Sequence, residues 1–150
     1  MSRQPTFTPY PSYLDAKAAI AFLEAAFGFE TEVMVLGPND EVAHAEMGFG
    51  DGRVGIGTEW RDEVRSPKNI GGKSTCSLHV QLESDVDAHC ARARAAGATI
   101  LSEPESKAYG DRTYVCADPE GNIWSFGQTI DQTARDSWDR PGVVTKEPAA

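Results

Sequence analysis

Few side chains in this sequence could do chemistry, and two short stretches hold most of them. In "VAHAEM", His44 and Glu46 point one way and Ala43, Ala45 and Met47 the other. In "TCSLHVQL", Ser77, His79 and Gln81 share one side, while Cys76, Leu78, Val80 and Leu82 share the other. A period of two is the alternation of a β-strand. An imidazole and a carboxylate on one strand face can act as base and acid, or hydrogen-bond a ligand. An antiparallel sheet with one wet face would also alternate in this way. A surface face usually carries more Lys, Thr and Glu, so the pattern points to a cavity. The third histidine, His89, falls in a helix pattern and is expected to face solvent.

Other candidates cluster near the C-terminal end. Arg112 follows the turn at Tyr109 and Gly110, and Tyr114 shares its strand parity. An arginine there either clamps an anion at a cavity mouth or fixes a loop by pairing with Asp111, Asp118 or Glu46. Tyr109 and Trp60 could supply aromatic walls. Ser125 stands between Trp124 and Phe126, whose opposite parity assigns them to the core. Ser125 and Ser77 have only His79 as a base, and no G-x-S-x-G motif appears. The run "GFGDGRVGIG" lacks the following helix that a phosphate loop needs.

The elements that must position these residues come in two similar sets. "DAKAAIAFLEAAFGFE" and "DVDAHCARARAAGAT" each open on an Asp fit to cap a helix, run Ala-rich, and end at Gly28 or Gly97. Strand patterns follow the first helix at residues 31–36, 41–49 and 53–59, and the second at 99–103, 113–117 and 122–128. One more strand precedes each helix, at 6–10 and 75–82. Each half therefore reads β-α-β-β-β, an α+β architecture. Its modules span about 6–60 and 74–129, with a polar linker at 61–73. One domain is expected over 1–130, with a peripheral tail at 131–150 that Trp138 could dock.

Composition narrows the functions. A net charge of −9 argues against nucleic acid and anionic membranes as partners, because phosphate-lined surfaces would repel it. No apolar run is long enough to span a bilayer, and "MSRQPTFTPY" has no apolar signal core. The three cysteines, Cys76, Cys90 and Cys116, are too scattered for a disulfide framework or zinc ribbon. Reduced thiols and a cytoplasmic location are the expectation.

The repeated module together with "YGDRTYVCADPEGNIWSFGQ" resembles the vicinal oxygen chelate superfamily. That group includes glyoxalases, bleomycin-resistance proteins, fosfomycin-resistance enzymes and extradiol dioxygenases. The resemblance covers residues 6–129 and implies two modules whose sheets curl around a shared cavity, often completed by homodimerisation. It also implies a divalent metal held by residues of the first and last strands of each module. Here the resemblance breaks. The position four after the turn glycine Gly121 is Ser125, and its counterpart after Gly52 is Ile56. The first-strand positions fall near Ser77 or His79, and at Phe7 or Pro9. At best one of four ligands is present, and one imidazole does not hold a metal.

The expectation is a protein that binds a small organic molecule without metal or other cofactor, in a sequestration or resistance role, as a homodimer. The cavity would be lined by His44, Glu46, Ser77, His79, Gln81, Tyr109, Arg112, Tyr114 and Ser125. The alternative is a divalent-metal lyase, isomerase or dioxygenase in which His44, Glu46 and His79 converge as a two-histidine, one-carboxylate set.

Overall fold

A computed structural model of the chain describes residues 4–137 and 141–144. Trp138 lies outside the described residues. The order of elements is β1 (Ser12–Tyr13), α1 (Ala16–Phe27), β2 (Glu30–Leu36), β3 (Val42–Phe49), β4 (Gly52–Gly55), β5 (Gly57–Thr58), a 3-10 turn (Pro67–Ile70), β6 (Ser77–Leu82), α2 (Val86–Ala95), β7 (Thr99–Ser106), β8 (Asp111–Ala117), β9 (Ile123–Thr129) and α3 (Gln132–Asp136).

Both long helices start and stop as their sequences dictate. Asp15 accepts a bond from the Ala18 amide, and Asp85 from the Ala88 amide. Each cap satisfies a donor that the helix leaves unpaired. Gly28 closes α1 at φ 77°, and Gly97 follows α2 at φ 108°, conformations that cost a side chain dearly. On α1 the buried residues are Ala16, Ala19, Ile20, Phe22, Leu23, Ala26 and Phe27, the spacing of one broad helical face.

The second half forms one four-stranded sheet in the order β6-β9-β8-β7, with β6 parallel to β9 and the rest antiparallel. The first half follows the same plan less regularly. Its sheet runs β2-β3-β4, and a separate parallel pair joins β1 to β5. The first strand sits later than the expected 6–10. Pro9 and Pro11 lack an N–H, so half of the ladder bonds cannot form there. Their carbonyls still accept from the Gly55 and Gly57 amides at 2.9 Å. Between those glycines the Ile56 amide turns to the Ala45 carbonyl instead. That reversal splits the expected strand 53–59 into β4 and β5. The sheets do not close into a barrel.

The two halves share one core. Phe27 packs on Phe126 and Trp124 with ring centroids 4.7 and 5.4 Å apart, and Phe29 meets Trp124 at 5.5 Å. Trp124 and Phe126 are fully buried on the helix side, as their parity requires. Polar contacts reinforce the join. Arg92 on α2 donates to the carbonyls of Ala25 and Glu24 at the end of α1. The Glu24 carbonyl also accepts from the Gly28 amide at the helix cap, and the guanidinium of the other module adds a charged donor to these last-turn carbonyls.

The turn at 118–121 is a second fastening. Asp118 is buried and accepts from the Tyr13 hydroxyl (2.6 Å), the Trp124 indole (3.1 Å) and the amides of Glu120 and Asn122. Burial pushes its carboxyl pKa up, against the pull of those four donors. Glu120 accepts from the amides of Leu14 and Asp15 and from the Ser66 hydroxyl, tying the linker to both halves. At the C-terminal end, α3 is held to the β7–β8 turn by Arg135, which pairs with Asp111 at 2.9 Å.

Candidate functional site

The outer face of the second sheet carries an ordered run of side chains. It starts at Asp111 on β8, whose carboxylate is almost wholly buried and pairs with Arg135. An ionised carboxylate only accepts hydrogen bonds. The Thr129 hydroxyl, 3.0 Å from Asp111 Oδ1, must therefore donate to it. Thr129 has then used its proton, so the Gln81 atom 3.1 Å away must be the amide nitrogen. That turns Gln81 Oε1 towards His79 Nε2 at 3.0 Å, and this nitrogen must carry the proton. Nδ1 of His79 is left with a lone pair, and Ser125 Oγ, 2.7 Å away, donates into it. Every bond runs one way, from Ser125 to Asp111, and the imidazole tautomer follows from that direction. His79 also lies over Gly127, where an added Cβ would come within 3.0 Å of the ring.

The first sheet carries a separate group. His44 Nε2 lies 3.3 Å from Glu46 Oε1, Arg53 lies 3.8 Å from Glu46 Oε2, and Arg53 donates to Glu32 at 2.8 Å. Tyr10 covers Gly55 beside His44, with ring centroids 6.3 Å apart. Among the described residues no three His, Cys, Asp or Glu side chains gather as a metal group. His44, Glu46 and His79 are not brought together within one chain. The residues at the positions implied by resemblance do not fit a metal. Ser125 has committed its proton to His79, and Ile56 is buried at 3% exposure.

A cleft of about 1120 Å³ opens between the halves along the edge strand β6. Phe49 and Leu78 stand half-exposed along it and Phe7 at one side, while Phe27, Phe29, Met47 and Trp124 lie buried behind them. Its polar edge brings Ser77, His79 and Gln81 from β6 together with Arg53 and Arg92.

Arg112 and Tyr114 are not on this face. Arg112 forms a two-pronged bond to Asp87 on α2, with both N···O distances 2.9 Å. The guanidinium holds the Asp87 carboxyl below the usual range. Arg112 thus fixes a helix to the sheet, with a partner other than the three carboxylates expected. Tyr114 is fully buried, stacks on Phe126 at 5.2 Å and has its hydroxyl pKa raised by burial. Tyr109 stands half-buried in the turn that the Gly110 amide closes on the Lys107 carbonyl.

His89 is a correction. It does not face solvent: its Nε2 lies 3.0 Å from the Phe27 carbonyl and its Nδ1 2.6 Å from the Tyr114 hydroxyl. A carbonyl only accepts, so Nε2 carries the proton and Nδ1 takes the tyrosine's. Burial lowers its pKa below the usual 6.5, and Arg92 adds to that while the Phe27 bond opposes it. Sequence reasoning also left out Asp111 and Thr129, which share the strand parity of Ser125. It left out the phenylalanines of the cleft as well, because an aromatic in a helix or strand looks the same whether it fills a core or walls a cavity.

Comparison with known proteins agrees with this architecture. The model of the Glyoxalase/Bleomycin resistance protein/Dioxygenase superfamily matches residues 13–126. Protein Mb0911c of Mycobacterium bovis is 33% identical over 142 residues, covering 89% of each chain. The crystal structure of TioX from Micromonospora sp. ML1 superposes with a TM-score of 0.66 at 29% identity, covering 84% of this chain and 99% of that one. A superfamily member from Burkholderia phytofirmans PsJN gives 0.64 at 22% identity, covering 81% and 95%, a likeness of fold. No helix among the described residues is long and apolar enough to cross a membrane. The chain belongs to the glyoxalase/bleomycin resistance protein/dioxygenase superfamily.

Proposed function

We propose that this protein binds a small organic molecule in the cleft between its modules, without a metal, in a sequestration or resistance role. The observation that carries this reading is the make-up of the cleft. Phe7, Phe49 and Leu78 give it apolar surface over a buried aromatic layer, and a few polar groups, His79 and Gln81 foremost, converge at one edge. Such a combination gives an organic ligand its affinity through burial and its orientation through a few hydrogen bonds. In this reading Ser77, His79, Gln81 and Ser125 orient the ligand from one chain. His44 and Glu46, which face outward on the first sheet, contribute from a second copy in a homodimer. Arg112 and Tyr114 act as supports for the sheet. The three thiols are free, which suits a cytoplasmic setting.

The test uses anilinonaphthalene sulfonate, a fluorescent apolar probe, titrated into untagged protein. Saturable binding that weakens about tenfold in Phe49→Ala supports the cleft as the site, since losing a buried ring costs at least ~1.4 kcal/mol. No saturable binding, or binding indifferent to Phe49, refutes it. Metal analysis of the same preparation tests the other half. Stoichiometric metal that is lost in His79→Ala would overturn the metal-free reading.

A further inference from the structure

The one-way hydrogen-bond chain does more than hold side chains still. It leaves Ser125 with its hydroxyl proton directed at the free lone pair of His79 Nδ1, at 2.7 Å. It leaves His79 with its other nitrogen donating to Gln81 Oε1 at 3.0 Å. A nucleophile bonded to a base, with the base oriented by a third group, is the arrangement that activates a serine. The orienter here is an amide, and it is itself anchored through Thr129 to the buried Asp111 carboxylate. His79 is exposed and Ser125 half-exposed, so a substrate can reach them.

We propose that Ser125 and His79 form a nucleophile–base pair that accepts the acyl group of small activated esters, a hydrolytic activity that goes beyond ligand sequestration at the same polar edge of the cleft. Ser125 Oγ attacks the ester carbonyl carbon while its proton passes to His79 Nδ1. The carbon–oxygen bond to the alcohol breaks, and the leaving oxygen takes the proton from the imidazolium. Water then attacks the acyl-serine, again giving a proton to His79. The carboxylic acid departs and Ser125 recovers its hydroxyl. Activated esters are the class because β9 is flanked on both sides by paired strands. Its backbone amides are therefore engaged in ladders rather than gathered as an oxyanion hole, and a good leaving group lowers the demand for one. Ser125 and His79 are the catalytic residues, and Gln81 is a positioning residue.

The experiment treats the intact protein with diisopropyl fluorophosphate and maps the modified residue by peptide mass spectrometry. In this reaction Ser125 Oγ bonds to phosphorus, the P–F bond breaks, fluoride leaves, and the serine proton goes to His79 and on to water. The expected result is phosphorylation at Ser125. It is absent in Ser125→Ala, slowed at least ~100-fold in His79→Ala, and unchanged in Ser102→Ala, an exposed serine of β7. Gln81→Leu frees the imidazole to take either tautomer and slows labelling about tenfold or more. Gln81→Glu sets a carboxylate against the Nε2–H, stabilises the imidazolium and speeds labelling, which a merely structural role would not do. Release of nitrophenolate from p-nitrophenyl acetate should follow the same order of variants. Labelling elsewhere, no labelling, or labelling of Ser125 at the same rate in His79→Ala overturns the proposal. The probe titration into cleft and metal analysis are unaffected by any of these outcomes.

Discussion

At the scale of single residues, the two informative histidines are told apart by what their nitrogens meet. Both carry the proton on Nε2 and accept from a hydroxyl at Nδ1, from Ser125 for His79 and from Tyr114 for His89. His79 is exposed at an open cleft, whereas His89 is half-buried against Phe126 with ring centroids 4.4 Å apart. Burial disfavours the charged imidazole, so the pKa of His89 lies below its usual 6.5 in the folded chain. The unfolded chain then binds more protons than the folded one in the window below pH 6.5. Stability is therefore fully present above that window and is lost as pH falls through it. The urea midpoint of the wild type should drop on going from neutral to mildly acidic pH. In His89→Gln, which keeps a polar side chain but cannot titrate, the drop should be shallower. Equal slopes for the two proteins would remove His89 as its cause.

At the scale of elements, what could be read from the sequence is local and periodic. The capping aspartates, the terminal glycines and the alternation along β3, β8 and β9 each depend on neighbours within a few residues, and these stand where the sequence puts them. The first strand could not be placed because Pro9 and Pro11 break the ladder without breaking the extended path. The partner of Arg112 could not be chosen either, since Asp87 lies on a helix 25 residues away in sequence. Which residues line the cleft depends on how α1 and β9 meet, and no short-range pattern records that. The turn before β9 shows how a local signal acquires a distant role. Gly121 sits at φ 94°, and a Cβ there would stand 3.0 Å from the Pro67 side chain of the linker. Gly121→Ala should therefore lower unfolding free energy by about 1–3 kcal/mol, combining a left-handed backbone with a linker that must shift. Urea denaturation measures it, and a change below ~0.5 kcal/mol would show that the linker yields without cost.

At the scale of the whole molecule, the surface leaves a question that a single chain does not answer. The edge strand β2 exposes Val33, Met34, Val35 and Leu36 in succession, each between 40% and 49%. At an edge of the second sheet, β7 exposes Leu101 at 53%. Scattered exposed apolar residues are ordinary, but four in a row on a strand with one free edge invite another chain. The acidic net charge of −9 opposes indiscriminate association, so a defined interface is the way to cover such an edge. The proposed second copy would also give a use to His44 and Glu46 on the outer face of the first sheet and to His79 and Ser125 on that of the second. In a symmetric dimer each half-site can meet the other half-site of its partner. Light scattering should therefore give the mass of two chains for the wild type and of one for Met34→Lys, since an ammonium within the interface would lose its water without gaining a partner. The monomeric variant should keep its helical circular dichroism but lose affinity for the fluorescent apolar probe if the partner helps enclose the cleft. A wild type that scatters as a single chain would leave the exposed strand without this purpose and would confine the binding site to one chain.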